Sequence, residues 1–418
     1  MANTETLFSI LPQPRVNGLG RMAQQSEHLD AGHDVDFRTL AVRSILNKSV
    51  SKRLHWMAWS INPYRGCEFG CRYCYARYTH EFLAPAATEP IRGTLADAEA
   101  PSKNSSSPRE PLPSNSSSRP ERSEVEGPAF LSRFGNSEGK PKLLQQGTNE
   151  INLRDPEAFE RRIFAKQNAA WLLEQDLRRM AKQRKLHEEI ALGTATDPWQ
   201  PIERRMKITR SLLEVLARHE GLKIGMVTKS TLIQRDIDLL QQINERSTLV
   251  VHITITTPDA ELARKLEPRA PRPDLRFETV RKLREAGIRT GILNCPLLPG
   301  ITDTAQAIDH MAALAKSVDA SFLGANPLFL KPCSRPTYFE FIREHFPHLQ
   351  VLYLERFRDM DFASRPYRER LRALVKASCI RHKVGERHMD SLLSGEDRNE
   401  KKPSRAATFA EAQGRLFA

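Results

Sequence analysis

The feature that most constrains the fold is an alternation of strand and helix signals across residues 188–326. Residues 188–193, 223–229, 249–257, 288–297 and 321–326 read as short strands rich in β-branched and apolar residues. Residues 201–219, 233–245, 259–266, 277–286 and 304–318 between them read as helices, the first with Pro201 near its first turn and the fourth closed by Gly287. Strands joined by helices of this length must pair in parallel, through right-handed crossovers. With one more strand expected at residues 56–61, about six such units result. The pattern therefore predicts an α/β fold, a partial (β/α)6 TIM-like barrel in preference to a doubly wound sheet. Along residues 250–257, His252, Thr254 and Thr256 share one face, and Val251, Ile253 and Ile255 share the other. A fully buried parallel strand is apolar on both faces. One polar face predicts a lumen that holds a polar ligand, with His252 deeper in the strand read as a core histidine.

Three of the six cysteines lie in one loop directly after residues 56–61, as Cys67, Cys71 and Cys74 in the spacing C-x3-C-x2-C. Cys295, Cys333 and Cys379 are isolated. A cubane iron–sulfur cluster normally takes four thiolates, so three leave one iron for a ligand from outside the protein. The alternative is a structural zinc site, which uses four ligands and shorter spacings. Six cysteines in 418 residues do not make a disulfide framework. Thiols committed to a cluster need a reducing compartment. No run approaches the ~18 apolar residues of a membrane span, and no basic segment precedes an apolar core at the N-terminus. The expectation is a cytoplasmic protein without membrane contact, acting as a monomer.

The loop's aromatic, Tyr73, completes a C-x3-C-x-aromatic-C signature that resembles the radical SAM superfamily. A second stretch, Gly193-Thr194-Ala195-Thr196-Asp197-Pro198-Trp199-Gln200-Pro201-Ile202-Glu203, is similar to the spore photoproduct lyase-like, DNA repair photolyase-type branch. Thr228-Lys229-Ser230, Thr254 to Thr257, Leu266 to Pro271 and Pro296 to Gly300 extend the likeness, which covers residues 54–83 and 151–330. The resemblance implies a [4Fe-4S] cluster on Cys67, Cys71 and Cys74 whose open iron is chelated by S-adenosyl-L-methionine. It further implies reductive cleavage to a 5'-deoxyadenosyl radical that abstracts hydrogen, with electrons from a flavodoxin- or ferredoxin-type donor. In the radical SAM barrel it places Thr194, Thr196 and Asp197 near the methionine end of the cofactor. Tyr73, Lys229, Ser230, Thr256 and Arg269 are the other cofactor-binding candidates. Ser, Thr and Asp at strand ends also serve as helix caps, and Glu267 and Arg269 are read with equal weight as a pair with each other or as ligand contacts. Spore photoproduct lyase is thought to use a cysteine as hydrogen-atom donor, which makes Cys295 and Cys333 catalytic candidates here. Neither lies in a segment that aligns with the lyase donor.

Around this barrel, at 51–83 and 148–330, residues 1–50 read as an N-terminal arm with a short helical pattern near residues 37–46. Residues 84–147, dominated by Ser, Pro, Asn, Gly and charge, read as a disordered insert. Residues 331–418 read as a C-terminal helical extension, with Cys379 structural. It is rich in arginine, and Tyr353, Phe357, Phe362 and Tyr367 are interleaved to stack either on bases or on each other. A formal charge of +13 favours an anionic partner. The expected substrate is a nucleic acid, by analogy with spore photoproduct lyase. The alternatives are a tRNA base, a peptide or a small metabolite, or a non-enzymatic Fe–S nucleic-acid-binding protein.

Overall fold

The computed structural model describes residues 18, 22, 28–31, 35–48, 58–81, 83 and 155–387. The expected insert at 84–147 and the end of the extension beyond residue 387 lie outside the described residues. In chain order the strands are β1 (His28–Ala31), β2 (Asp36–Thr39), β3 (Leu46–Lys48), β4 (Trp59–Ile61), β5 (Tyr64–Arg65) and β6 (Arg162–Ala165). They continue with β7 (Glu189–Leu192), β8 (Lys223–Thr228), β9 (Thr248–Thr254), β10 (Thr290–Leu297), β11 (Phe322–Pro327) and β12 (Gly385–Glu386).

The larger sheet runs β12-β11-β10-β9-β8-β7-β4-β3. From β4 to β12 every pairing is parallel, and β3 closes the edge antiparallel to β4. The helices Ala169–Lys182, Ile208–Arg218, Ile237–Arg246, Pro273–Glu285 and Ala305–Ser317 lie between its strands in sequence. This is the partial barrel expected from the alternation.

Side-chain parity separates its two faces. Ile190, Leu192, Ile224, Met226, Val251, Ile253, Ile292 and Leu323 join helix residues such as Leu212, Leu240 and Leu283 in the main core. The opposite parity therefore faces the lumen. It carries Ala191, Gly225, Gly291 and Gly324, and is filled by Val250, His252 and Phe322. A Cβ on Gly291 would come 2.3 Å from the Phe322 ring, so that glycine makes room for the lumen's largest side chain. His252 is fully buried with its ring 5.1 Å from that of Phe322, a core histidine as expected.

Two expectations about local structure fail. Residues 37–46 are not helical. Phe37 lies in β2, which pairs parallel with β6, and Leu46 opens β3. The four strands β1-β2-β6-β5 form a second, smaller sheet. The expected helix at 201–219 is broken at Lys207, whose φ is 50°. The cause is Glu203: its carboxylate accepts the Thr209 N–H at 2.9 Å and the Arg210 N–H at 3.2 Å, capping the helix Ile208–Arg218 in place of a local N-cap residue.

Candidate active site

The lumen parity at the C-terminal strand ends brings together Asn62, Gly193, Lys229, Thr254, Thr256 and Cys295. This is the end of an α/β barrel where chemistry collects. The three-cysteine loop starts just beyond β4 and is held from several sides. Cys67 N–H donates to the Phe159 carbonyl at 2.9 Å, and Arg72 N–H to that of Leu266 at 2.9 Å. Buried Arg77 donates to the Cys71 carbonyl at 3.1 Å and pairs with Glu160 at 2.7 Å. Gly66, at φ +87°, could not carry a side chain, because a Cβ there would lie 2.8 Å from two backbone carbonyls.

The Gly193–Glu203 stretch clamps this loop. Gln200 accepts from the Glu68 N–H at 2.9 Å and donates to the Gly66 carbonyl at 3.3 Å. Thr196 donates to the same carbonyl at 2.6 Å, and Glu68 accepts the Ile202 N–H at 2.7 Å. Asp197 receives the Thr228 hydroxyl and the Lys229 N–H, each at 2.7 Å, together with the Trp199 N–H at 2.9 Å. Burial raises its pKa in spite of these donors. Thr194 accepts from Asn62 at 3.3 Å, and its carbonyl accepts the Tyr75 hydroxyl. Ser230 caps the turn Thr231–Asp236 by accepting the Leu232 N–H at 3.2 Å. The polar groups at these strand ends thus spend most of their bonds on positioning the cysteine loop.

Cys67 and Cys71 are buried and Cys74 is half-buried. Burial pushes all three thiols up, Cys71 to about 12. A thiolate in such a place needs a metal to offset its desolvation. The surroundings suit one. The Phe69 and Asp197 N–H groups aim at the Cys67 sulfur, that of Ala76 aims at Cys74, and Lys229 and Arg77 add positive charge near Cys71 and Cys74. Among the described residues no three His, Cys, Asp or Glu side chains gather around a point where one ion would sit.

Tyr73 turns inward. Its hydroxyl bonds to Thr256 at 2.8 Å and donates to Glu267, while the Lys229 ammonium lies 5.7 Å above its ring. Thr256 also donates to Glu267, at 2.8 Å. The Glu267–Arg269 pair does not form. Glu267 pairs with Arg276 at 2.6 Å, both side chains 1% exposed, whereas exposed Arg269 lies along Gly70. Burial pushes the Glu267 carboxyl up, but Arg276 and Lys229 outweigh it and hold the group below its usual range. The sequence reading missed Arg276, which sits mid-helix and carries no local signal. It quoted Gln200 and Glu203 within the Gly193–Glu203 stretch without giving them a role, and it missed Arg77.

The two donor candidates lie apart. Cys295 is on the lumen side of β10 with its sulfur 4.0 Å from the Gly324 carbonyl, and burial raises its pKa. Cys333 is on the turn Pro332–Ser334, 3.6 Å from the Ser334 hydroxyl, which donates to the Cys74 carbonyl at 2.7 Å. Cys379 packs into the main core.

Comparison with known proteins agrees with this architecture. The model of the radical SAM superfamily matches residues 159–315, beginning beyond the cysteine loop. An uncharacterized protein of Mycobacterium tuberculosis is 24% identical over 354 residues, 85% of this chain and 83% of that one. One from Methanocaldococcus jannaschii is 28% identical over 135 residues, 32% of this chain and 50% of that one. Among solved structures, a mutant of spore photoproduct lyase with bound AdoMet and dinucleoside spore photoproduct superposes with a TM-score of 0.50 at 12% identity, covering 83% of this chain and 79% of that one. At that identity the likeness is one of fold.

Proposed function

We propose that the chain is a radical SAM enzyme, as the match of residues 159–315 to the model of that superfamily supports, and that it abstracts hydrogen from a nucleic acid. Cys67, Cys71 and Cys74 hold the cluster in this reading. When bound, the cluster and S-adenosylmethionine supply a 5'-deoxyadenosyl radical by one-electron reduction from a flavodoxin- or ferredoxin-type donor.

The chain's own residues prepare the place. Gln200, Thr196 and Glu68 fix the cysteine loop against the ends of β7 and β8. Lys229 sets a cation beside Cys71, and Arg276 holds Glu267 ionised so that it anchors Tyr73 and Thr256. With those hydroxyls and Asp197 engaged by protein, backbone atoms and Lys229 would be left to meet the cofactor's polar groups. Cys295 and Cys333 are the candidates to return a hydrogen atom to the product, Cys333 being tied through Ser334 to the loop itself.

The observation that carries the enzyme reading is one clamped loop that bears three thiols, two of them buried, with a cation and backbone N–H donors beside them. The nucleic-acid substrate is supported by the charge of +13 and by the dinucleoside bound to the similarly folded lyase. The test is anaerobic reconstitution with iron and sulfide, reduction, and assay for 5'-deoxyadenosine with and without single-stranded DNA or RNA. Formation of 5'-deoxyadenosine that nucleic acid stimulates is expected. An intact cluster that never yields this product would remove the enzyme reading. A yield indifferent to nucleic acid would remove only the substrate.

A further inference from the structure

Of the four tail aromatics, three are consumed by packing. Tyr353 and Phe357 are fully buried, and the Tyr367 hydroxyl donates to Asp303 at 2.7 Å. Phe362 differs: it is 44% exposed and stacks on Phe329 with ring centroids 4.4 Å apart and 20° between planes. Tyr75, directly after Cys74 and 42% exposed, continues the row at 6.1 Å from Phe329.

The row is held in place by backbone. Phe329 and Phe362 form an antiparallel bridge, and Leu330 N–H donates to the Asp361 carbonyl at 2.9 Å. Arg335 secures the turn by donating to the Arg358 carbonyl at 2.8 Å and to the Asp361 carboxylate at 2.9 Å. A cation accompanies the rings: the Lys331 ammonium lies 4.2 Å from the centroid of Tyr78 and 5.9 Å from that of Phe329. A pre-positioned aromatic row, exposed at Phe362 and Tyr75 and half-buried at Phe329 between them, beside a lysine is an arrangement that stacks bases while neutralising their phosphates.

We propose that Phe362, Phe329 and Tyr75 form a stacking platform for an unpaired nucleobase, which leads a single strand to the cysteine loop, with Lys331 meeting its backbone. The proposal rests on the nucleic-acid reading of the substrate and gives that substrate a form: single-stranded or flipped out of a duplex. It also assigns a role to a segment beyond the residues that carry the radical SAM match. The charge of +13 favours this occupant over an aromatic peptide, because a strand engages the lysine and the rings together.

The test measures binding of a labelled oligothymidylate, and of the same strand carrying an abasic position in each nucleotide's place in turn, to the full chain across a salt series. The parent should bind the intact strand more tightly than at least one abasic strand. Phe362→Leu should weaken the intact strand about fivefold or more without changing the salt slope, because stacking releases no counterions. Phe362→Trp should restore affinity, and Lys331→Ala should lower the slope. If the parent binds the strand but Phe362→Leu binds it equally well, the platform is wrong and the nucleic-acid reading stands. If the parent binds no strand at low salt, or prefers an aromatic peptide, both fall.

Discussion

Two clusters pair carboxylates with arginines, and they differ in how far the cations reach solvent. In the outer one, Glu203 and Asp236 face Arg235 and Arg210 at 2.8–2.9 Å, Arg210 reaches on to Asp238 at 2.8 Å, and the arginines are 25% and 28% exposed. Tyr64 donates to Glu203 at 2.5 Å and Trp199 to Asp236 at 2.8 Å, so this cluster closes on itself. In the inner one, Glu267 faces Arg276, 1% exposed, and Lys229. Burial opposes the charge on Lys229, but the negative charge of Cys71, Glu267 and Asp197 outweighs it and raises the Lys229 pKa. The outer cluster holds the helix Ile208–Arg218 and the clamp. We propose that the inner one sets the Lys229 cation beside the Cys71 thiolate that would hold the iron–sulfur cluster.

The comparison breaks hardest at Cys71. Cys71→Ala should abolish visible cluster absorbance and 5'-deoxyadenosine formation, and retention of either would remove Cys71 as a ligand. Next is the contrast between the carboxylates. Glu267→Gln strands Arg276 away from water and should cost about 3–5 kcal/mol in urea unfolding. Glu203→Gln leaves Arg235, which already reaches solvent, and should cost less, about 1–3 kcal/mol. Equal losses would erase the distinction between the clusters.

Two pH effects follow at smaller scale. The native Glu267 carboxyl lies below its usual range, so its contribution is complete above the ordinary carboxylate value and is lost as pH falls through the depressed one. Glu267→Gln should flatten that acid limb. Lys166 gives the same sign in an alkaline window, for a different reason. It is buried, donates to the Asn62 carbonyl at 2.6 Å, and burial lowers its pKa from 10.5 to about 7. Across that interval the unfolded chain holds a proton that the native state has shed, so stability should climb as pH rises. Lys166→Met should remove the climb, and a rise that persists would place its origin elsewhere.

Much of the barrel was legible because each strand and crossover announces itself locally, and the ends of β7 to β11 fall within a few residues of expectation. The failures depend on distant partners. Phe37 is extended because β2 pairs with β6, far along the chain. The break at Lys207 follows from a carboxylate reaching across it to cap the next helix. At the site, spacing identified the three thiols, and strand parity identified the polar end of the lumen. What sequence could not show is where each hydroxyl spends its bond: Thr196 and Gln200 turn to Gly66, and Ser230 to its own turn. Arg276 was invisible because nothing in its helix distinguishes it from Arg281 or Arg284, which pair at the surface.

The central claim is that three thiolates leave one iron of a cluster open beside Lys229. Electron paramagnetic resonance of the reduced, reconstituted protein, recorded before and after adding S-adenosylmethionine, tests it most directly. The account predicts a [4Fe-4S] signal that changes on addition, as a ligand joins the open iron. A cluster signal that S-adenosylmethionine leaves unaltered would contradict it.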